Sequence, residues 1–125
     1  MRDVVFVFVR SGNSYGFVED TDEHRDTYGK FIPIHEKAGE GERLVDAAHR
    51  VLRDEGGIGG KIVDAPYTIP YEMGRRHYFI ADVGRTFAAS EKRTRWMEAK
   101  DIRTYYEKYC LAEWVPEIMR GMKLI

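Results

Sequence analysis

Six consecutive β-branched or aromatic residues, Val4 to Val9, stand between Asp3 and the polar stretch Arg10-Ser11-Gly12-Asn13-Ser14. So short and apolar a run, bounded by turn formers, predicts a buried strand that enters a turn. Tyr15 to Val18 supplies the return strand of the hairpin. Glu19 to Gly29 is polar and acidic and reads as a surface loop. Lys30 to His35 reads as a short strand limited by Pro33, which has no amide hydrogen for a ladder. Glu36 to Glu42 carries Gly39 and Gly41 among charges and is expected to be a loop.

From Leu44 the period changes. Apolar residues fall at Leu44, Ala47, Ala48, Val51 and Leu52, the spacing of one face of an amphipathic helix over about 43–55. Gly56-Gly57 ends it with residues that accept a left-handed cap. After the loop at Gly59-Gly60, Lys61 to Ile69 predicts a strand, Tyr71 to Arg76 a turn and His77 to Val83 a further strand. Gly84 to Lys92 reads as a loop and Thr94 to Met97 as a short strand. Two helical stretches follow between Asp101 and Leu124, parting near Cys110, with Pro116 in the first turn of the second. The order is that of a mixed α/β or α+β domain, taken as one unit over residues 1–125.

Composition narrows the class. The apolar fraction of 43% and charged fraction of 33% are ordinary for a folded domain. A net charge of −1 lacks the basic excess that an extended nucleic-acid surface needs, whereas a small nucleotide needs only a local cluster of donors. Cys110, the single cysteine, has no internal partner and is expected to pack in its apolar run. No apolar stretch approaches the roughly 18 residues of a membrane span, and Val4 to Val9 is too short for a leader, so a cytoplasmic protein is expected.

The helix also carries the candidate chemistry. Glu55 falls inside the apolar arc, one turn after Val51, and at the negative end of the helix dipole. Something positive should compensate it: solvent at a frayed end, a Lys or Arg, or a metal ion. Ala47-Ala48-His49-Arg50-Val51-Leu52-Arg53-Asp54-Glu55-Gly56-Gly57-Ile58, preceded by Gly41-Glu42, resembles the Nudix box of hydrolases that act on nucleoside diphosphates linked to another group. That box reads Gly, five residues, Glu, seven residues, then Arg-Glu-apolar-x-Glu-Glu-x-Gly-apolar. Glu42 stands eight positions before Arg50, and Leu52, Asp54 (for Glu), Glu55, Gly57 and Ile58 fill their places. Arg95-Trp96-Met97 is similar to the family's late strand.

Two positions depart from the pattern. The Glu that should follow Arg50 is Val51, and the opening Gly-Gly is replaced by His35-Glu36. The missing Glu and Glu55 would be an i, i+4 pair able to share a hard cation. The resemblance implies an α/β/α sandwich with a mixed sheet and a Mg²⁺- or Mn²⁺-dependent pyrophosphohydrolase. In such an enzyme metal ions neutralise phosphate and lower the pKa of the attacking water. It assigns Asp54 and Glu55 to the metal, Arg50 to orienting a carboxylate or meeting phosphate, and Glu91 to a further acid or base. Plainer roles are an i, i+4 pair of Arg50 with Asp54 and a solvated Glu91 beside Lys92 and Arg93. Glu36 could swing toward the metal in place of the missing ligand, and Glu40 and Glu42 read as loop and helix-start charges. Val51 motivates the alternative, a catalytically silent Nudix-fold module that binds a nucleotide or a protein. A homodimer is compatible with either.

Other signals carry less. Gly56 to Lys61 lacks the Ser or Thr of a phosphate loop and runs from helix to strand, the wrong order. His24, His35, His49 and His77 have no zinc-ligand spacing and read as surface or loop residues. Tyr15, Phe17, Tyr28, Tyr71 and Phe87 could stack a base, though core packing accounts for most of them. Arg75-Arg76 and Lys92-Arg93 with Arg95 could meet phosphates or lie in solvated turns.

Overall fold

The computed structural model describes residues 2–63, 66–84 and 92–125, the side chain at position 105 excepted. Strand β1 (Arg2–Ser11) is the middle of the sheet. Val5, Val7 and Val9 are buried on one face and Phe6 and Phe8 on the other, so a strand covered on both sides reads as an unbroken apolar run. Gly12, at φ 59°, turns the chain into β2 (Ser14–Glu19). Pro33 separates β3 (Phe31–Ile32) from β4 (Ile34–Lys37).

One edge of β1 is shared. Its last residues pair antiparallel with β2, from Val9 opposite Gly16 to Ser11 opposite Ser14. Its first half pairs antiparallel with β4, from Val4 opposite Lys37 to Val7 opposite Ile34. The other edge runs parallel to β7 (Gly74–Asp82) along nine residue pairs. Strands β5 (Lys61–Ile62) and β6 (Tyr67–Tyr71) lie antiparallel to β7, and β8 (Thr94–Glu98) lies antiparallel to β2.

Helix α1 (Leu44–Gly56) lays Ala47, Ala48, Val51 and Leu52 on the valine face of β1. It ends at Gly57, φ 63°, whose amide donates to the carbonyl of Arg53 at 2.9 Å. Helices α2 (Ala99–Tyr105) and α3 (Trp114–Gly121) cover the aromatic face with Ile102, Val115 and Met119. The architecture is therefore the expected α/β/α sandwich on a mixed sheet. Among the described residues no helix is long and apolar enough to cross a membrane.

Several local expectations are corrected. Glu36 and Lys37 belong to β4, because their backbones pair with Val5 and Val4. The strand expected over 61–69 divides into β5 and β6, and β7 begins at Gly74, inside the expected turn. Cys110 is exposed: it adopts φ 57° at a turn, and its neighbours Leu111 and Ala112 take the buried places. His77 is 3% exposed and is no surface residue. Its Nδ1 lies 2.8 Å from Thr68 Oγ1 and its Nε2 2.9 Å from Asp3 Oδ1, so both ring nitrogens are satisfied under cover.

Gly74 is where β7 meets the start of β1, and an added Cβ would stand 1.8 Å from the carbonyl oxygen of Arg2. Backbone cannot yield as a side-chain tip does, so Gly74→Ala is expected to cost about 2–3 kcal/mol, read as a lowered urea midpoint. Gly59→Ala meets nothing within 4 Å and should change stability by less than about 0.5 kcal/mol. Equal midpoints for the two variants would contradict this register.

Candidate functional site

Successive residues of a strand point to opposite faces, and β4 uses this to serve two sites. His35, opposite Phe6, lies on the aromatic face and stacks on that ring with centroids 4.9 Å apart. Glu36, opposite Val5, lies on the face covered by α1 and forms an ion pair with Arg50. Arg50 spends its remaining donors on Glu42 (Nε to Oε2 3.1 Å, Nη2 to Oε1 3.0 Å) and on the carbonyl of Lys37 (2.9 Å). Glu42 also accepts the Gly39 amide at 2.8 Å. One planar guanidinium thus ties the helix to strand and loop.

The two partners respond differently. Hydrogen bonds from Arg50 and then from the Gly39 amide pull the Glu42 carboxyl down to about 2. Burial pushes Glu36 up; Glu55 and Asp54 add repulsion, and Arg50 works against both. Glu36 on β4 therefore shares one negative field with Asp54 and Glu55 on α1.

The residues assigned from sequence are found as follows. Arg50 pairs with Glu36 and Glu42, and the i, i+4 pairing with Asp54 is not made. Asp54 is exposed and faces Arg53, with 3.6 Å between charged atoms. Glu55 is half-buried and pairs with Lys92, Nζ to Oε2 3.8 Å. Val51 is 0% exposed, packed between α1 and the sheet. Glu91 and Phe87 lie outside the described residues.

Behind His35, on the aromatic face, is a cleft of about 280 Å³. Arg2, Arg25 and Arg76 line it together with Phe6, Tyr71 and Trp114. The Arg76 guanidinium lies 4.9 Å from the Tyr71 ring centre and 5.9 Å from that of Trp114, an aromatic cradle for a cation. Among the described residues neither Arg2 nor Arg76 has a carboxylate partner. Arg25 reaches from the 20s loop, 3.4 Å from Asp22 and 2.9 Å from His35 Nε2. Of these residues the sequence marked only Arg76 and Tyr71. Arg2, Arg25, Phe6 and Trp114 are brought in by the pairing of β1 with β7 and by the docking of α3, neither of which leaves a local signal. Strand parity was the one usable clue, since Arg2, Val4 and Phe6 alternate onto one face.

His35 joins the two sites. Its Nε2 receives a hydrogen bond from Arg25 while Nδ1 faces the Pro33 carbonyl at 3.3 Å, so the ring is neutral. Burial, reinforced by the positive charges of Arg25 and Lys92, holds its pKa down at about 4.

No protein-family model matches the sequence, and no curated protein is significantly similar to it. Solved structures do match in fold. A NUDIX-family hydrolase from Clostridium perfringens superposes with a TM-score of 0.78 at 14% identity, covering 98% of this chain and 95% of the other. The MutT protein of Methanosarcina mazei Go1 gives 0.74 at 15% identity, covering 98% and 92%. A NUDIX hydrolase from Nitrosomonas europaea gives 0.68 at 18% identity, covering 98% and 88%. The chain has the Nudix hydrolase fold.

The divalent ion implied by the box can be tested against these side chains. Hard carboxylate oxygens are the right donors for Mg²⁺ or Mn²⁺. Yet the position that should give the i, i+4 partner of Glu55 holds a fully buried isopropyl group, and among the described residues Glu36, Glu42, Asp54 and Glu55 each face a cation of the chain. Among the described residues no three His, Cys, Asp or Glu side chains gather closely enough to hold an ion. The described set does not fit the metal centre that the box implies.

The neutral His35 gives a prediction with a definite sign. The unfolded chain takes up this proton near the usual 6.5 and the folded chain only near 4. Its contribution to stability is therefore complete above about pH 6.5 and is lost as pH falls through about 4. NMR titration of the imidazole should give a midpoint close to 4, and His35→Gln should flatten the stability profile across that window. A midpoint near 6.5 would contradict the packing described.

Proposed function

We propose that this chain binds a nucleoside diphosphate-linked small molecule, with its aromatic and first anionic parts in the cleft between Arg25, Arg76 and Trp114. The observation that carries the reading is the pair of guanidiniums, Arg2 and Arg76, that lack carboxylate partners among the described residues beside the rings of Phe6, Tyr71 and Trp114. Arginine meets phosphate oxygens with two parallel N–H donors, and an aromatic wall offers a stacking face to a base. The chain as a whole is close to neutral, so this local excess of positive charge selects a small anion over an extended nucleic acid. His35, neutral at physiological pH, packs on Phe6 and does not repel Arg25. Arg50, held by three oxygen-bearing partners, keeps β4 and α1 in register and so maintains both faces of β4.

A second reading, cleavage of the ligand's pyrophosphate, is favoured by Glu36, whose carboxyl pKa is pushed up by burial despite Arg50, with Glu55 and Asp54 adding to the rise. It requires phosphate or nucleotide release with Mg²⁺ or Mn²⁺ well above that of a Glu55→Gln variant. Release at the level of that variant would remove it.

Binding is checked with a panel of nucleoside diphosphates, free and linked to a sugar, by quenching of tryptophan fluorescence in the wild type and by calorimetry in the variants. Arg76→Ala and Trp114→Ala should each weaken binding about tenfold or more, the loss expected for a charge-assisted phosphate contact or a stacking face. No saturable quenching by any member up to about 1 mM would end the reading.

A further inference from the structure

Lys92 stands at the head of β8, just before Arg93, and its ammonium reaches Glu55 at the tail of α1. The ion pair with Glu55 locates it, at 3.8 Å with both side chains 29% exposed. Its positive charge also helps to hold the His35 pKa down. The Lys92 ammonium therefore lies beside the acidic end of α1.

This is where the box would set a divalent ion, and the described side chains there do not form the cage such an ion requires. Glu36 and Glu42 are engaged by Arg50, Asp54 by Arg53, and position 51 is apolar and buried. We propose that Lys92, with Arg50, is a built-in counter-ion that replaces the divalent metal at this corner, and that the ammonium donates to the phosphates of the bound ligand. A Lys ammonium has three N–H donors and no acceptor, so one can face Glu55 while the others meet phosphate oxygens. Its single charge suits the reduced acid set: with Val51 in place of a carboxylate, a full +2 ion would be under-coordinated, whereas a +1 group balances Glu55 alone. The phosphate part of the inference rests on the binding reading above; the counter-ion part does not.

The test uses the whole chain and two probes. Mn²⁺ is titrated and the free ion followed by its electron paramagnetic resonance signal. The wild type should leave the signal of the free ion unchanged at about 0.1 mM Mn²⁺, and Lys92→Glu, which adds a carboxylate beside Glu55 and Asp54, should bind it. Lys92 is part-exposed, so this variant is expected to fold, with circular dichroism as the check; Lys92→Gln removes the charge without adding a ligand and should stay as metal-poor as the wild type. Inorganic pyrophosphate is then titrated by calorimetry in EDTA. It should bind the wild type as well in EDTA as in Mg²⁺, and at least tenfold more weakly to Lys92→Gln. Tight uptake of Mn²⁺ by the wild type, or pyrophosphate binding that needs Mg²⁺ and ignores Lys92→Gln, overturns the proposal. If the cleft binds no nucleotide while the Mn²⁺ results hold, the binding reading falls and the counter-ion stands.

Discussion

The organisation of this molecule depends on how β1 divides its edges. One edge is committed along its length to β7, while the other is handed from β4 to β2 midway. Because two strands share that edge, β4 is held only over Val4 to Val7 and its outer side is open to α1 and to the 20s loop. Alternation does the rest: His35 goes to the aromatic face and Glu36 to the helix face. A slip of one residue in this register would exchange them, bringing a carboxylate against Phe6 and an imidazole against Arg50. The residue that packs on Phe6 and Arg25 of the cleft and the residue that engages Arg50 of the box are therefore neighbours on a single strand.

The second organising term is charge compensation. Each carboxylate at the box meets a cation of the chain: Glu36 and Glu42 at Arg50, Asp54 at Arg53, Glu55 at Lys92. Isolated surface pairs contribute little, but a guanidinium held by two carboxylates and a carbonyl is a network with fixed geometry. Val51 determines what that network can do. Its side chain belongs to the apolar layer with Ala47, Ala48 and Leu52, so the helix gains packing where the box expects a ligand. Among the described residues the acids that remain do not gather round one point.

Much of this was legible in the sequence. The helix is readable because its apolar spacing and its terminal glycines agree, and β1 because six residues covered on both faces leave no polar break. The exceptional place of Glu55 also follows from arithmetic on the helix wheel, and a positive partner was the expected consequence. What sequence could not give was the identity of that partner, since Lys92 and Glu55 meet only through the pairing of β8 with β2 and of β2 with β1. Arg50 misled for a related reason: a local i, i+4 partner was available in Asp54, but Glu36 and Glu42 together offer it more oxygen atoms. The arginines of the cleft lie on three separate elements and carry no motif. Cys110 read as core because its neighbours are apolar, and only the left-handed turn at φ 57° reveals that it faces outward.

The most direct test is a crystal grown with a nucleoside diphosphate and then soaked in MnCl₂, with data collected at the manganese absorption edge. The account predicts the ligand's base and first phosphate between Trp114 and Arg76, Lys92 on a phosphate oxygen, and no anomalous peak near Asp54 and Glu55. A strong peak bridging those two carboxylates to the phosphates, with Lys92 turned away, would contradict it.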